Sequence, residues 1–183
     1  MKVLISGNPN KGLAKSLSKI YPDATFVHKS AGHDLTKQET QQLFAEMAQN
    51  HDVIVINAAL WKFQQVVLLD VVHKKLVENG KKAHIVCIGS TTDRVKKGTM
   101  WLYNADKKAL RDYCNSLSLL GVWDNKPRVS YISFGTLSNN QDKHPDRKCM
   151  NIDTAASYVK WIINQPDHLH INEISIDPVQ LKE

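Results

Sequence analysis

Tyr103 and Lys107 stand four residues apart in a stretch whose apolar residues recur at helical spacing, so phenol and ammonium share one helix face a turn apart. That pairing has a definite chemical use. A free phenol titrates near pH ~10, and acid–base work near neutrality asks for roughly three units less, about 4 kcal/mol of preferential stabilisation of the phenolate. A fixed neighbouring cation acts in that direction. Ser90 closes the run Val86-Cys87-Ile88-Gly89-Ser90. It brings a hydroxyl to the carboxyl end of a strand, where open α/β sheets bind ligands and where it can donate to a carbonyl oxygen. Tyr-x-x-x-Lys alone equally describes a surface lysine above a half-buried tyrosine. The trio gains meaning only from the elements that position it.

Those elements alternate along the whole chain. Short apolar runs at Lys2 to Ser6, Thr25 to His28, Val53 to Asn57, His84 to Ile88, Val129 to Phe134 and Glu173 to Ile176 are β-branched and lack strict alternation. Strands covered on both faces read this way. Amphipathic stretches lie between them, at about Gly12 to Ile20, Lys37 to Asn50, Phe63 to Asn79, Leu102 to Leu120 and Thr154 to Asn164. In the fourth, Ala105, Ala109, Leu110, Tyr113, Cys114, Leu117 and Leu120 mark one buried helix face. Such a βαβα chain with right-handed crossovers predicts an α/β fold: a parallel sheet between two helix layers. No repeat or linker interrupts it, and polar Ser138 to Asn151 is the candidate for a mobile loop. Flavodoxin-like and P-loop folds share the alternation, so the loops must decide.

Ser6-Gly7-Asn8-Pro9-Asn10-Lys11-Gly12-Leu13-Ala14 follows the first strand and opens the first helix, the place of a phosphate-cradling loop. Gly7 and Gly12 have the spacing of a Walker A loop, but Leu13 and Ala14 occupy its Lys and Ser/Thr positions. The ammonium and the Mg²⁺ hydroxyl are both missing, which argues against a nucleotide triphosphatase. A plain tight turn fits the same glycines.

Together these segments resemble the short-chain dehydrogenase/reductase family. There a strand ending in the catalytic Ser is followed about a dozen residues later by Tyr-x-x-x-Lys; here Tyr103 is 13 residues beyond Ser90, and Ala105 completes the frequent Tyr-x-Ala-x-Lys form. Ser6-Gly7 through Gly12-Leu13-Ala14 is similar to the family's Thr-Gly-x-x-x-Gly-Ile/Leu-Gly loop with one extra residue. Asp34-Leu35-Thr36 resembles the Asp-Val/Leu-Thr segment beside the adenine, and Ile56-Asn57-Ala58-Ala59 the Asn-Asn-Ala-Gly that ends the next strand. Ile132-Ser133-Phe134-Gly135-Thr136 is similar to the Ile-Ser-Pro-Gly segment that passes the nicotinamide, with Phe134 in place of Pro. The resemblance runs from Lys2 to about Pro178.

It implies a Rossmann-like, doubly wound parallel sheet in three layers, about six to seven strands, in one NAD(P)-binding domain over residues 1–183. Tyr103 would be the general acid in carbonyl reduction and the base in alcohol oxidation. Lys107 would hold the nicotinamide ribose and depress the Tyr103 pKa, and Ser90 would orient the substrate oxygen. Gly7, Asn10, Lys11, Gly12 and Leu13 would contact the cofactor from the first loop. His28, Lys29, Ser30, Asp34 and Leu35 would do so from the second, and Asn57, Ala58, Ala59, Phe134, Gly135 and Thr136 from the later strand ends.

Three departures are visible. The family's relay Asn on the helix after Asn57-Ala58 is absent, Gln64 and Gln65 being the nearest amides. His28 to Asp34 leaves no room for a helix, which predicts a trimmed sheet edge near the second strand. The presumed substrate loop, Leu137 to Asn151, is short, which predicts a more open or smaller pocket. An NAD site places an acid at the end of the second strand. This strand ends Val27-His28-Lys29-Ser30 without one, and Lys11 resembles the basic residue of NADP-preferring members, so NADP(H) is the expected cofactor with NAD(H) possible.

Composition excludes several other classes. The chain has 183 residues, 42% hydrophobic and 23% charged, with a formal charge of +6. That is ordinary globular composition rather than disorder, and no apolar run approaches a membrane span. Three cysteines (Cys87, Cys114, Cys149) without paired spacing predict reduced thiols and a cytoplasmic setting. The His residues show no metal-ligand spacing, so no metal is expected. Lys74-Lys75, Lys81-Lys82, Lys96-Lys97 and Lys107-Lys108 are scattered without interleaved aromatics, which speaks against nucleic acid. Trp61, Trp101, Trp123 and Trp161 are expected in the core or an interface rather than as ligand stackers, although Trp101, two residues before Tyr103, is also placed to line the pocket, and Cys87 to sit in the core. The expected activity is NADP-dependent hydride transfer to or from a small carbonyl or alcohol, in a homodimer or homotetramer. The rival is a dinucleotide-binding sensor or regulatory protein with weak turnover; a nucleic-acid-binding protein rests on the basic charge alone.

Overall fold

The computed structural model describes residues 1–94 and 99–180, so the Lys96-Lys97 pair lies outside the described residues. Six strands, β1 (Val3–Ser6), β2 (Thr25–Val27), β3 (Val53–Ile56), β4 (His84–Ile88), β5 (Arg128–Phe134) and β6 (Glu173–Ile176), form one sheet in the order β2-β1-β3-β4-β5-β6. Every pairing is parallel. Helices α1 (Gly12–Ile20) and α5 (Ile152–Ile163) pack together on one face. On the other lie α2 (Gln38–Ala48), α3 (Gln64–Glu78) and α4 (Leu102–Trp123).

The strand sequences explain the three layers. Leu4, Ile54, Ile56, Ile85, Cys87, Val129 and Tyr131 face the α2–α4 layer, while Val3, Ile5, Val53, Val55, Val86, Ile88, Ile132 and Phe134 face α1 and α5. Consecutive residues thus point to opposite cores, and both cores are apolar. Cys87 is fully buried in the first of them. In α3 the buried residues Gln65, Leu68, Leu69, Val72 and Leu76 form the inner stripe. The α4 periodicity continues three residues beyond Leu120, with Leu119, Val122 and Trp123 exposed.

The sheet edge is trimmed, and the loss is local. β2 has three residues, and the chain then makes a single 3-10 turn, Lys29–Ala31, before running to α2. β1 lies between β2 and β3, so the connections after β1 and β3 leave in opposite directions and a crevice opens at the carboxyl ends of the strands. At the amino end of the sheet a buried polar cluster forms instead. Ser130 Oγ donates to the Ile171 carbonyl at 2.6 Å and accepts from His84 Nε2 at 2.8 Å, leaving His84 Nδ1 buried without a partner. Burial pushes the His84 pKa down to about 3.

Candidate active site

The crevice is a cavity of about 1420 Å³, larger than the ~300–1,000 Å³ typical of a single small ligand. Its floor is fastened by Ser6, whose Oγ accepts from the backbone amides of Asn57 at 2.9 Å and Ala58 at 3.0 Å. That bond couples the ends of β1 and β3. Gly12, with φ of 52°, starts α1 in a left-handed conformation that a side chain would strain. No side chain caps this helix and no acid stands in its first turn, so its free amides and positive dipole end face the cavity. The residues therefore fit a dinucleotide diphosphate.

The first loop and the β2 end differ from expectation in two details. Asn10 does not line the cavity; its amide donates to Asn8 Oδ1 at 2.9 Å, closing the turn, and Asn8 takes the lining position. Asn8 Nδ2 also donates to Ser30 Oγ at 2.9 Å, and His28 Nδ1 meets the same hydroxyl at 2.9 Å. Lys29, expected to contact the cofactor, lines the cavity but pairs with Asp34 at 2.9 Å. Lys29 and Thr36 together hold the Asp34 carboxyl well below the usual carboxylate range. Lys11 is exposed and makes no ion pair among the described residues. Gly7, Gly12, Leu13, Leu35, Asn57, Ala58 and Ala59 all line the cavity as expected.

Ser90, Tyr103 and Lys107 converge on the opposite wall. Gly89 makes this possible, because a Cβ there would collide with the Tyr131 hydroxyl. Tyr131 in turn donates to Asp93 at 2.7 Å, pinning the turn that follows Ser90. The Lys107 side chain is buried, its residue only 3% exposed. Its Nζ donates to Gln65 Oε1 at 2.6 Å, reaches the Ile88 carbonyl at 3.5 Å and lies 5.4 Å from the Tyr103 ring centroid. Burial pulls the Lys107 pKa down to about 8.

The Tyr103 pKa moves opposite to the expected depression. Burial raises it, the Ser90 hydroxyl partly offsets that, and the Asp106 and Asp93 carboxylates raise it further. Lys107 is directed at Gln65 rather than at the phenol oxygen, so the structure holds Tyr103 as a neutral phenol.

Gln65 is the residue the sequence identified only as a nearby amide. Its Nε2 donates to the carbonyls of Ile56 at 3.1 Å and Ile88 at 3.0 Å, so it spans the ends of β3 and β4 while its oxygen takes the lysine. Trp61, expected in the core or an interface, lines the cavity instead, and Asp106 was not singled out by sequence. Trp61 and Trp101 flank the Tyr103 ring, with centroids 5.2 and 4.9 Å away. Asp106 accepts from the amides of Lys62 and Phe63 just before α3.

The β5 end completes the cavity with Phe134, Gly135 and Thr136. Beyond it the loop is tied by Ser138 N to Met150 O and Met150 N to Thr136 O, at 2.7 and 2.8 Å. Gln141 Nε2 donates to His144 O and Arg147 O, at 3.0 and 2.9 Å. Lys143, His144 and Arg147 line the cavity from this loop, an addition the sequence pattern did not reveal.

No protein-family model and no curated protein sequence matches the chain. Solved structures do. A closed form of serine dehydrogenase complexed with NADP+ superposes with a TM-score of 0.76 at 17% identity, covering 100% of this chain and 97% of that one. An alcohol dehydrogenase from the archaeon Thermococcus sibiricus, complexed with 5-hydroxy-NADP, gives 0.75 at 14% identity over 100% and 98%. A short-chain type dehydrogenase/reductase from Mycobacterium marinum gives 0.75 at 12% over 96% and 93%. The chain has the short-chain dehydrogenase/reductase fold. Within that fold the crevice, the glycine loop and the Ser90–Tyr103–Lys107 wall occupy one continuous cavity.

Proposed function

We propose that this chain is an NADP-dependent oxidoreductase of the short-chain dehydrogenase/reductase type, acting on a small carbonyl or alcohol. One observation carries the reading: Ser90, Tyr103 and Lys107 line the same cavity as the uncapped start of α1. Bound NADP(H) supplies or takes the hydride. The chain's own residues handle binding and the proton. The α1 amides and the Gly7–Leu13 loop receive the diphosphate, and Lys11 offers the unpaired cation suited to a 2′-phosphate. Asn57, Ala58, Ala59, Phe134, Gly135 and Thr136 wall the nicotinamide half. His28, Ser30 and Leu35 border the adenine half, with the Lys29–Asp34 pair beside them.

In carbonyl reduction the neutral Tyr103 phenol donates its proton to the carbonyl oxygen while Ser90 donates a hydrogen bond to the same atom; alcohol oxidation reverses the transfer. Lys107 has two of its three donors directed at Gln65 and the Ile88 carbonyl, which leaves one for a ribose hydroxyl. NAD(H) is the secondary cofactor.

The Gln65 contact also favours a second reading. An amide oxygen accepts a hydrogen bond from Lys107 but does not hand a proton onward as a water chain does, which suits a dinucleotide-binding sensor with slow turnover. Titration with NADPH and NADH, followed by a carbonyl screen that monitors loss of the reduced-nicotinamide absorbance, separates the two, with Tyr103→Phe as control. Turnover supports the enzyme, and binding without turnover supports the sensor. We further infer one NAD(P)-binding domain over residues 1–183 and a cytoplasmic setting, the latter supported by three free cysteines. No described helix is long and apolar enough to cross a membrane. A homodimer or homotetramer is supported by exposed Leu119, Val122 and Trp123 on α4.

A further inference from the structure

The wall that carries Tyr103 has a character of its own. Trp61 and Trp101 bracket the Tyr103 ring at interplanar angles of 45° and 36°. Both line the cavity, yet they remain 53% and 55% exposed. Indoles that served only the core would be covered.

Trp61 is also held in place by a strained backbone. Lys62 and Phe63 both adopt the left-handed region, with φ of 56° and 62°, a conformation costly for residues with side chains. The buried Asp106 carboxylate holds it, accepting from Lys62 N at 2.9 Å and Phe63 N at 3.2 Å. Asp106 sits on α4 one turn beyond Tyr103, so the tyrosine and the loop that presents Trp61 are fixed to each other. Trp101 is placed from the other side, its amide donating to Thr99 Oγ1 at 3.1 Å and its carbonyl accepting from Asn104 N at 3.0 Å. Segments 57–63 and 99–104 contribute no charged side chain to the cavity lining; among the described residues, apart from Lys107, the lining charges come from the loops after β1, β2 and β5.

We propose that the substrate is an uncharged carbonyl compound, or its alcohol, whose reacting carbon is attached to a flat aromatic or conjugated body that stacks on Trp61 and Trp101. Aromatic faces prefer offset or tilted contact with a second π-system, and a ring seated there has its exocyclic carbonyl beside Tyr103 and Ser90. The inference rests on the oxidoreductase reading above. Asp106 is a positioning residue that acts through Trp61.

The test compares benzaldehyde with cyclohexanecarbaldehyde, which matches it in size but is not flat, and with pyruvate, which is charged, all with NADPH and the full chain. Benzaldehyde is expected to exceed cyclohexanecarbaldehyde in kcat/KM by about two- to tenfold, in line with a stacking contact. Trp61→Leu and Trp101→Leu should erase that ratio mainly through KM while leaving NADPH affinity unchanged, which also reports that they fold. Asp106→Asn should raise KM for benzaldehyde with little change in kcat.

Saturable quenching of tryptophan emission by 4-nitrobenzyl alcohol, with and without NADP+, provides a readout independent of turnover. If no dinucleotide binds but this quenching persists and is lost in Trp61→Leu, the oxidoreductase reading falls and the aromatic site stands. If NADPH is oxidised equally well by cyclohexanecarbaldehyde or pyruvate, or the tryptophan variants leave the ratio unchanged, the substrate inference falls and the oxidoreductase reading stands. Absence of both quenching and aromatic turnover overturns the substrate inference as well.

Discussion

Where β1 and β2 end, the cavity wall is made of backbone amides, a glycine turn and cations that lie open, Lys11 among them. Where β4 and α4 meet, it is made of side chains locked by other side chains. Lys107 lies on Gln65, Tyr103 between two indoles, and the turn after Ser90 is pinned through Asp93 by Tyr131. The first wall can receive an anion with little rearrangement. In the proposed function the second holds a proton donor in place beside a buried charge. Affinity and chemistry then fall on separate walls, and substitutions should separate them.

The sharpest separation comes from Tyr103→Phe. Loss of the general acid is expected to lower carbonyl reduction by about 10²–10⁴-fold, while NADPH affinity stays within about threefold of the parent. A parallel loss of NADPH binding would break the division between walls.

The far end of the sheet tests whether burial at the tyrosine wall is special. His84 is buried neutral, with a pKa pushed down to about 3 from 6.5. Its unfolded form takes up a proton as pH falls below 6.5, whereas the folded form does so only near 3. Stability present above pH 6.5 is therefore lost across that window, by up to about 5 kcal/mol. His84→Gln should flatten the acid limb of a urea-denaturation series against pH, and an unchanged slope would place the acid sensitivity elsewhere.

At the tyrosine wall the slope keeps this sign, but its window lies above neutrality, so the buried group is charged at pH 7. Lys107, lowered to about 8 from 10.5, binds its proton more weakly folded than unfolded. At neutral pH it therefore destabilises the fold, and stability should rise as pH moves from 8 to 10.5. The gross cost at pH 7 is about 3 kcal/mol, and removal of the lysine orphans Gln65 Oε1 at about 1–3 kcal/mol. Lys107→Met is expected to stabilise the protein by about 1 kcal/mol, seen as a Tm rise of a few degrees, while abolishing turnover. A lower Tm would show that the lysine supports the fold.

The open wall should affect cofactor affinity alone. Lys11→Ser should weaken NADPH by about tenfold, close to 1.4 kcal/mol, and leave NADH affinity and the Tyr103-dependent rate unchanged. Equal losses for both dinucleotides would place Lys11 at the diphosphate rather than the 2′-phosphate.

The sequence made the alternation legible because each strand is a short apolar run buried on both faces, and the trimmed edge because His28 to Asp34 is too short for a helix. Ser90, Tyr103 and Lys107 were legible through fixed local spacing. Gln65 was not, because a buried glutamine on a helix differs from a surface one only by what lies above it, here the Ile56 and Ile88 carbonyls brought together by β3–β4 pairing. Asn10 and Asn8 exchanged roles for a similar reason. Either asparagine satisfies the loop pattern, and the Asn8 side chain closes the turn. Trp61 read as a core or interface tryptophan because its position depends on two left-handed residues held by a carboxylate distant in sequence. The Tyr103 pKa direction reversed because burial of the phenol outweighs the Ser90 hydrogen bond, and proximity in sequence put Lys107 on the same helix face but not against the phenol oxygen.

The most direct measurement is NADPH oxidation by an aromatic aldehyde, followed alongside saturable NADPH and NADH binding, in the parent chain and in Tyr103→Phe. The account predicts tight, NADPH-preferring binding in both proteins and oxidation in the parent alone. Failure of the parent to bind either dinucleotide, or undiminished oxidation by Tyr103→Phe, would contradict it.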